Sequence, residues 1–227
     1  MTCAEWVLVI AAAVLIGAAK TGVIGGAVLV IPLMASVFPA KESTGVLLPL
    51  LCMADVLGVI LYRRHARWDV LARLFPCAAA GVVAGYFFMR VITNAQLKPI
   101  IGVIVLALLA LQYAMAHRAL AVYRTHIVLA ILTGLAAGFT TMTANAAGPI
   151  MTLYLLMLHL DKTKFVGTIA WYFFVMNLFK VPFSAHLGLI TLDSLGFNLV
   201  LLPAIIAGGA AGYYFVRIIP QKPFEIV

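Results

Sequence analysis

Long apolar runs are the feature that most constrains this chain. Stretches of about 20 residues, such as 44–62 and 70–92, consist mostly of apolar side chains. A helix of that length spans the ~30 Å hydrocarbon core of a bilayer. In lipid, only helices and closed barrels satisfy the backbone, and these runs lack the alternation of a barrel strand. Since 65% of the 227 residues are hydrophobic and only 10% are charged, the sequence predicts an all-α integral membrane protein.

The chain contains an internal repeat. PCAAAGVVAGYFFMRVI (76–92) aligns without a gap with PAIIAGGAAGYYFVRII (203–219). Further aligned pairs are Gly17 with Gly134, Pro32 with Pro149, Gly45 with Gly167, and Asp55 with Asn177. We therefore predict two copies of one unit, residues 1–118 and 127–227, joined by a linker at 119–126. The second copy stops where the first continues into a further helix, so its final helix is expected to be missing or truncated.

Each copy opens on an interrupted run, residues 5–38 and 126–160, with a predicted break near its middle. Two arms of about 15 residues would each be about 22 Å long, which is short of a full crossing. With full-length helices at 44–62, 70–92, 98–116, 165–185 and 195–218, about nine helical segments are expected. The interrupted runs are either short re-entrant hairpins or single kinked crossings.

The distribution of basic residues favours the hairpins. In that topology only Lys41, Arg90 and Lys98 lie on one side of the membrane, and ten Lys and Arg residues share the other. Single kinked crossings would instead place seven of these basic residues on one side and six on the other. The positive-inside rule expects such an asymmetry. Three full crossings per copy then invert the copies relative to each other, as in secondary transporters. A hairpin whose arms both cross fully gives the same parity and remains open.

The first break carries an unusual set of residues for a membrane run, AAKTGVIGG (18–26). A new helix starting near Gly22 would direct its free N–H groups and positive dipole end into the protein. Glycines allow a ligand to approach the backbone, and Lys20 adds a positive charge. An anion site is therefore predicted here. Its expected residues are Lys20, Thr21, Gly22, Gly25 and Gly26.

The second break, TTMTANAAGP (140–149), has hydroxyls and an amide instead. Thr143 or Asn145 could cap the arm that starts near Gly148. Asn177 and Lys180 share one face of a neighbouring predicted helix. These five residues complete the predicted substrate site.

Asp55 lies in the middle of a predicted span, where a carboxylate is by default a functional candidate. We expect it to carry a coupling proton or to form an ion pair with Lys20 or Lys180.

Each of these features also has a purely structural interpretation. Lys20 could extend to a nearby interface, and the glycines could serve only close helix packing. Thr140 and Thr141 are expected to bond their own helix backbone. The aromatic run 171–174 is expected to pack rather than to line a path.

Several longer segments resemble the TauE/SafE family of sulfite and organosulfonate permeases. They are GAAKTGVIGGAVLVIP, LPLLCMADVLGVILYRRHARW, TANAAGPIMTLYLL, KFVGTIAWYFFVMNLFKVP and PAIIAGGAAG, in this order along nearly the whole chain. The resemblance implies a multi-pass permease of the cell inner membrane for small sulfur oxyanions or organosulfonates. The positions that match are Lys20, Gly22, Gly25, Gly26, Asp55, Asn145, Gly148, Asn177 and Lys180. The second break departs from the glycine-rich pattern of many members, which leaves the substrate open.

The predicted function is a secondary transporter for a small anion, most simply sulfite or an organosulfonate, that works by alternating access with an optional coupling proton. An anion channel, or a permease for other small carboxylate or sulfur anions, is the alternative. Neither a nucleophile–base pair nor a metal-ligand spacing is evident, so no enzyme, cofactor or metal is expected. The +8 net charge is too thinly spread for nucleic acid. The expected partners are the substrate and the lipid bilayer. A homodimer, in which the partner is a second copy of the chain, is an open alternative to a monomer.

Overall fold

The computed structural model describes residues 1–22, 27–116 and 127–218. These residues form ten helices and no strand. The helices are α1 (Cys3–Thr21), α2 (Ala27–Val37), α3 (Ala40–Tyr62), α4 (Trp68–Val91), α5 (Asn94–Ala116), α6 (Ile127–Ala144), α7 (Gly148–Leu156), α8 (Lys162–His186), α9 (Leu192–Val200) and α10 (Leu202–Ile218). In the described part, six helices are long and apolar enough to cross a membrane, and α9 with α10 would make a seventh span. The chain is an all-α, multi-pass membrane protein.

The two interrupted runs break as predicted, but their arms are unequal. The first arms, α1 and α6, have 19 and 18 residues, or about 27–29 Å at 1.5 Å per residue. The second arms, α2 and α7, have only 11 and 9 residues. The prediction of two arms of about 15 residues is therefore wrong. Each first helix continues through the polar residues that precede its break, up to Thr21 in α1 and past Thr143 in α6.

The predicted single helix at 195–218 is also wrong, and this is why ten helices replace the predicted nine. α9 and α10 meet at an angle of 49°. Pro203 has no N–H to donate to the preceding turn, and Leu201 N bonds Asn198 O three residues back. Its counterpart Pro76 lies inside the unbroken α4. Proline at this position therefore permits the bend without requiring it.

Helix partners are exchanged between the two copies. α1 packs parallel to α10, with Gly208 against Val14 and Gly212 against Ala18. Likewise α4 packs along α6, so that the first helix of each copy lies on the helix of the other copy that carries the shared proline–glycine–arginine motif, α10 or α4. This exchange is the pattern that two copies related by a two-fold axis produce.

The aligned helices α3 and α8 pack on each other in opposite directions. Gly45, near the start of α3, lies against Leu189, just beyond the end of α8. Gly167, near the start of α8, lies against Tyr62 and His65 at the end of α3. A Cβ at Gly45 would overlap the backbone of Leu189, and one at Gly167 would lie only 3.0 Å from Tyr62 O and from His65 C. The reciprocal contact supports the predicted inversion of the copies.

Besides a smaller cluster around α5 that includes Leu97 and Ile101, the described interior contains two main apolar clusters. One, built around α4, α6 and α8, includes Leu71, Leu74 and Tyr172. The other, built around α1, α3 and α10, includes Ile16, Leu50 and Ile205. We call these the α4–α6 lobe and the α1–α10 lobe. Since α3 belongs to one and α8 to the other, the α3–α8 contact joins the lobes.

Candidate functional site

Both helix breaks face the same cavity, which contains about 740 Å³ of space not filled by atoms, including its open mouth. The described residues that line it come from α1, the two breaks, and α2, α3, α6, α7 and α8. They are Ala19, Lys20, Gly22, Val28, Leu51, Thr141, Asn145, Gly148, Thr152, Phe165, Val166, Ile169, Ala170, Phe173 and Asn177.

On one side of the cavity, Lys20 forms a buried ion pair. Its Nζ lies 2.7 Å from Asp55 Oδ1, and the two side chains are 8% and 0% exposed. Asn177 Nδ2 donates to the other carboxylate oxygen of Asp55 at 2.6 Å. The carboxylate therefore connects α1, α3 and α8, and both of its oxygens have a partner. Of the predicted alternatives for Asp55, the pairing with Lys20 is the one formed.

An aromatic ring covers the same ammonium group. Lys20 Nζ lies 3.9 Å from the centroid of the Phe173 ring. A cation over a ring face is stabilised by the ring quadrupole, and the effect grows where water is excluded. Phe173 also lines the cavity, so the aromatic run 171–174 contributes one residue to the site. The expectation that this run only packs is therefore wrong for Phe173, whereas Tyr172 is fully buried in the α4–α6 lobe.

A second buried ammonium group, that of Lys180, lies at the C-terminal end of α6. Its Nζ donates to Thr141 O at 2.9 Å, Thr141 Oγ1 at 3.0 Å and Asn145 Oδ1 at 2.7 Å. These three acceptors are neutral oxygens. The negative end of the α6 dipole favours a cation at this position. Lys180 thereby fixes the last turn of α6 to α8.

Asn145 holds the second break in shape. Its φ is +53°, a left-handed conformation that asparagine tolerates better than most residues. Its Oδ1 accepts from Lys180, and its Nδ2 donates to Thr44 O in α3 at 3.1 Å. The amide therefore ties the end of α6 to both α8 and α3.

The helix that follows this break opens towards the cavity. α7 begins at Gly148, and among the described residues no side chain caps its first turn. A Cβ placed on Gly148 would meet no atom within 4 Å. The first N–H groups of a helix have no partner inside it and lie at the positive end of its dipole. This end of α7 therefore favours a negative charge in the cavity.

The cluster carries an unbalanced charge. Among the described residues, the buried charged side chains are Lys20, Asp55 and Lys180. Lys180 lies one helical turn after Asn177 and interacts electrostatically with both Lys20 and Asp55. With both lysines protonated and Asp55 ionised, these three groups carry a net positive charge. Because burying an uncompensated charge is costly, the arrangement is suited to a bound anion.

The predicted site residues divide into three groups. Lys20, Gly22, Asn145, Gly148 and Asn177 line the cavity. Thr21, Thr143, Lys180 and Asp55 are buried beside it but are not among the lining residues. Gly25 and Gly26 lie outside the described residues, as does the predicted linker at 119–126.

The threonine hydroxyls make contacts that sequence reasoning did not resolve. Thr21 Oγ1 donates to Gly209 O in α10 at 2.8 Å, and Thr143 Oγ1 donates to Phe139 O at 2.9 Å. Thr140 bonds the backbone of α6, as expected. Thr141 lines the cavity and accepts from Lys180, a role that the sequence analysis missed.

Thr152 was missed as well, although a sequence signal existed. It lies four residues after Gly148, which is one helical turn, so it shares a face with the start of α7. Thr152 is 5% exposed and lines the cavity.

The family model of the sulfite exporter TauE/SafE matches residues 9–227. The chain belongs to the TauE/SafE family. Members of this family are membrane transporters of sulfite or related anions rather than enzymes. The comparisons with curated proteins and with solved structures returned no match.

Proposed function

We propose that this TauE/SafE protein is a secondary transporter that carries a small sulfur oxyanion or an organosulfonate across the cell inner membrane by alternating access. The observation that carries the proposal is the net positive charge of the buried cluster beside a cavity that both helix breaks line. A monoanion bound there would bring the cluster of Lys20, Asp55 and Lys180 to neutrality.

Lys20 is the proposed direct contact to the anion. An ammonium group has three N–H donors. One is directed to Asp55, and the Phe173 ring covers another part of the group. The remaining donor can reach a ligand in the cavity that Lys20 lines. Lys180 already has three protein acceptors, so it would act on the anion through its charge and by positioning Asn145.

The position of the cavity supports alternating access. It lies where α3 of the α1–α10 lobe meets α8 of the α4–α6 lobe. A rocking movement of one lobe against the other would open the cavity to either side around a fixed site, as in other transporters built of inverted repeats.

Asp55 is the proposed site of proton coupling. Protonation would neutralise its carboxylate and weaken its hold on Lys20, leaving the ammonium available to an anion. Asp55→Asn is expected to abolish transport driven by a pH gradient while sparing exchange of substrate against substrate. An unchanged response to the pH gradient in proteoliposomes would rule out coupling at this residue.

The anion site is tested by varying the charge at position 20. Lys20→Arg is expected to keep part of the affinity for sulfite, whereas Lys20→Met should weaken it by about 10-fold to 150-fold, the equivalent of a charged hydrogen bond of ~1.5–3 kcal/mol. Lys164→Met removes a half-exposed lysine and serves as the matched control. Equal dissociation constants for wild type and Lys20→Met would place the anion elsewhere. Saturable counterflow in proteoliposomes separates a carrier from an anion channel.

A further inference from the structure

While Asp55 is ionised, the amide of Asn177 has a fixed orientation. An ionised carboxylate only accepts hydrogen bonds, so the NH₂ group of Asn177 must face Asp55. The 2.6 Å contact from Nδ2 to Asp55 Oδ2 has this geometry. The ammonium of Lys20 lies 2.7 Å from the other oxygen of this carboxylate. If the NH₂ group and the carbonyl oxygen of this amide exchanged places, the carbonyl oxygen would face a carboxylate oxygen of Asp55, and neither atom could donate a hydrogen bond.

This orientation leaves the carbonyl oxygen of Asn177 without a donor. Asn177 is 1% exposed, and its Oδ1 accepts no hydrogen bond from any described residue. Asn177 lines the cavity, whereas Asp55 does not. A buried polar atom without a partner is costly. The cavity therefore has an ammonium donor at Lys20 and a fixed acceptor at Asn177.

Resting on the proposed function, we infer that the site selects anions that carry their own hydrogen-bond donor. The anionic group would face Lys20, and an O–H or N–H of the same ligand would donate to Asn177 Oδ1. Singly protonated oxyanions and sulfonates with a nearby hydroxyl or ammonium group belong to this class. Fully deprotonated oxyanions and purely alkyl sulfonates do not. A site built around a buried polar group rejects analogues that lack the matching group.

Two sulfonates of equal size test this inference. 2-Hydroxyethanesulfonate and propane-1-sulfonate are monoanions with the same number of heavy atoms, and they differ by a hydroxyl in place of a methyl group. Their dissociation constants are measured by titration of the purified full-length protein. We expect the hydroxylated ligand to bind about tenfold more tightly to the wild type, which corresponds to ~1.4 kcal/mol.

Two variants assign the preference to Asn177. In Asn177→Leu the ratio of the two dissociation constants should fall to about one. Asn198→Leu is the matched control, because Asn198 is also fully buried but is not among the residues that line the cavity; it should keep the wild-type ratio. If Asn177→Leu does not fold, the ratio measured on the wild type decides alone.

The outcomes separate this inference from the proposed function. Equal affinities of the wild type for both sulfonates overturn the inference and leave the anion site standing, since both ligands have then bound. A hydroxyl preference that persists in Asn177→Leu overturns the role of Asn177. Failure of both sulfonates and of sulfite to bind overturns the proposed function and the inference together.

Discussion

The two helix breaks achieve the same placement of charge in different ways. At the first break the lysine belongs to the broken helix itself, because Lys20 is in the last turn of α1 and pairs with the carboxylate of Asp55. At the second break the lysine comes from a neighbouring helix, and Lys180 binds neutral oxygens of Thr141 and Asn145. Both ammonium groups lie at the C-terminal end of a helix, where the dipole favours a cation. A helix end with three oxygen acceptors can thus take the place of a carboxylate.

The comparison predicts the largest effect at the first break. Asp55→Leu leaves the buried ammonium of Lys20 without its carboxylate, and it should lower the free energy of unfolding by about 3–5 kcal/mol. Thermal unfolding in detergent micelles measures this change. The double variant Lys20→Met/Asp55→Leu removes both charges and should return close to wild-type stability. A double variant as unstable as Asp55→Leu would show that the ion pair is not the source of the loss.

The second break should respond less strongly to the loss of its charge. Lys180→Met deprives Thr141 O and Asn145 Oδ1 of their donor but leaves no charge stranded, so a loss of about 1–3 kcal/mol is expected in the same measurement. Lys164→Met is the control, since it removes only an exposed pair with Asp161, worth ~0–1 kcal/mol. A loss as large as that of Asp55→Leu would mean that the charged groups at the two breaks contribute equally to the free energy of unfolding.

A smaller effect is expected where the aligned helices α4 and α9 differ. Asn198 in α9 aligns with Leu71 in α4, and both are fully buried. The amide of Asn198 has no hydrogen-bond partner among the described residues. Asn198→Leu should therefore raise the free energy of unfolding by about 1 kcal/mol, whereas Leu71→Asn should lower it by about 1–3 kcal/mol. Equal and opposite changes would show that the two aligned positions tolerate a buried amide equally well.

The sequence by itself determined the fold class and the location of the chemistry. Apolar runs of about 20 residues require helices in lipid, and the two glycine- or asparagine-containing breaks interrupt them at the positions that face the cavity. Lys20, Asn145, Gly148 and Asn177 were predicted for the site and line the cavity. Charged and polar residues are so costly in a membrane run that their presence alone marks candidates.

Only the tertiary structure decided which of these residues meet. Lys20, Asp55 and Asn177 are far apart in the chain, and nothing in their spacing distinguishes the pair Lys20–Asp55 from the pair Asp55–Lys180. Phe173 entered the site because α8 turns that face of its aromatic run towards Lys20. The bend at Leu201 likewise depends on neighbours, since the same proline motif lies inside the unbroken helix α4. Packing between helices, not local sequence, sets these contacts, because lipid solvates every apolar face of a helix equally well.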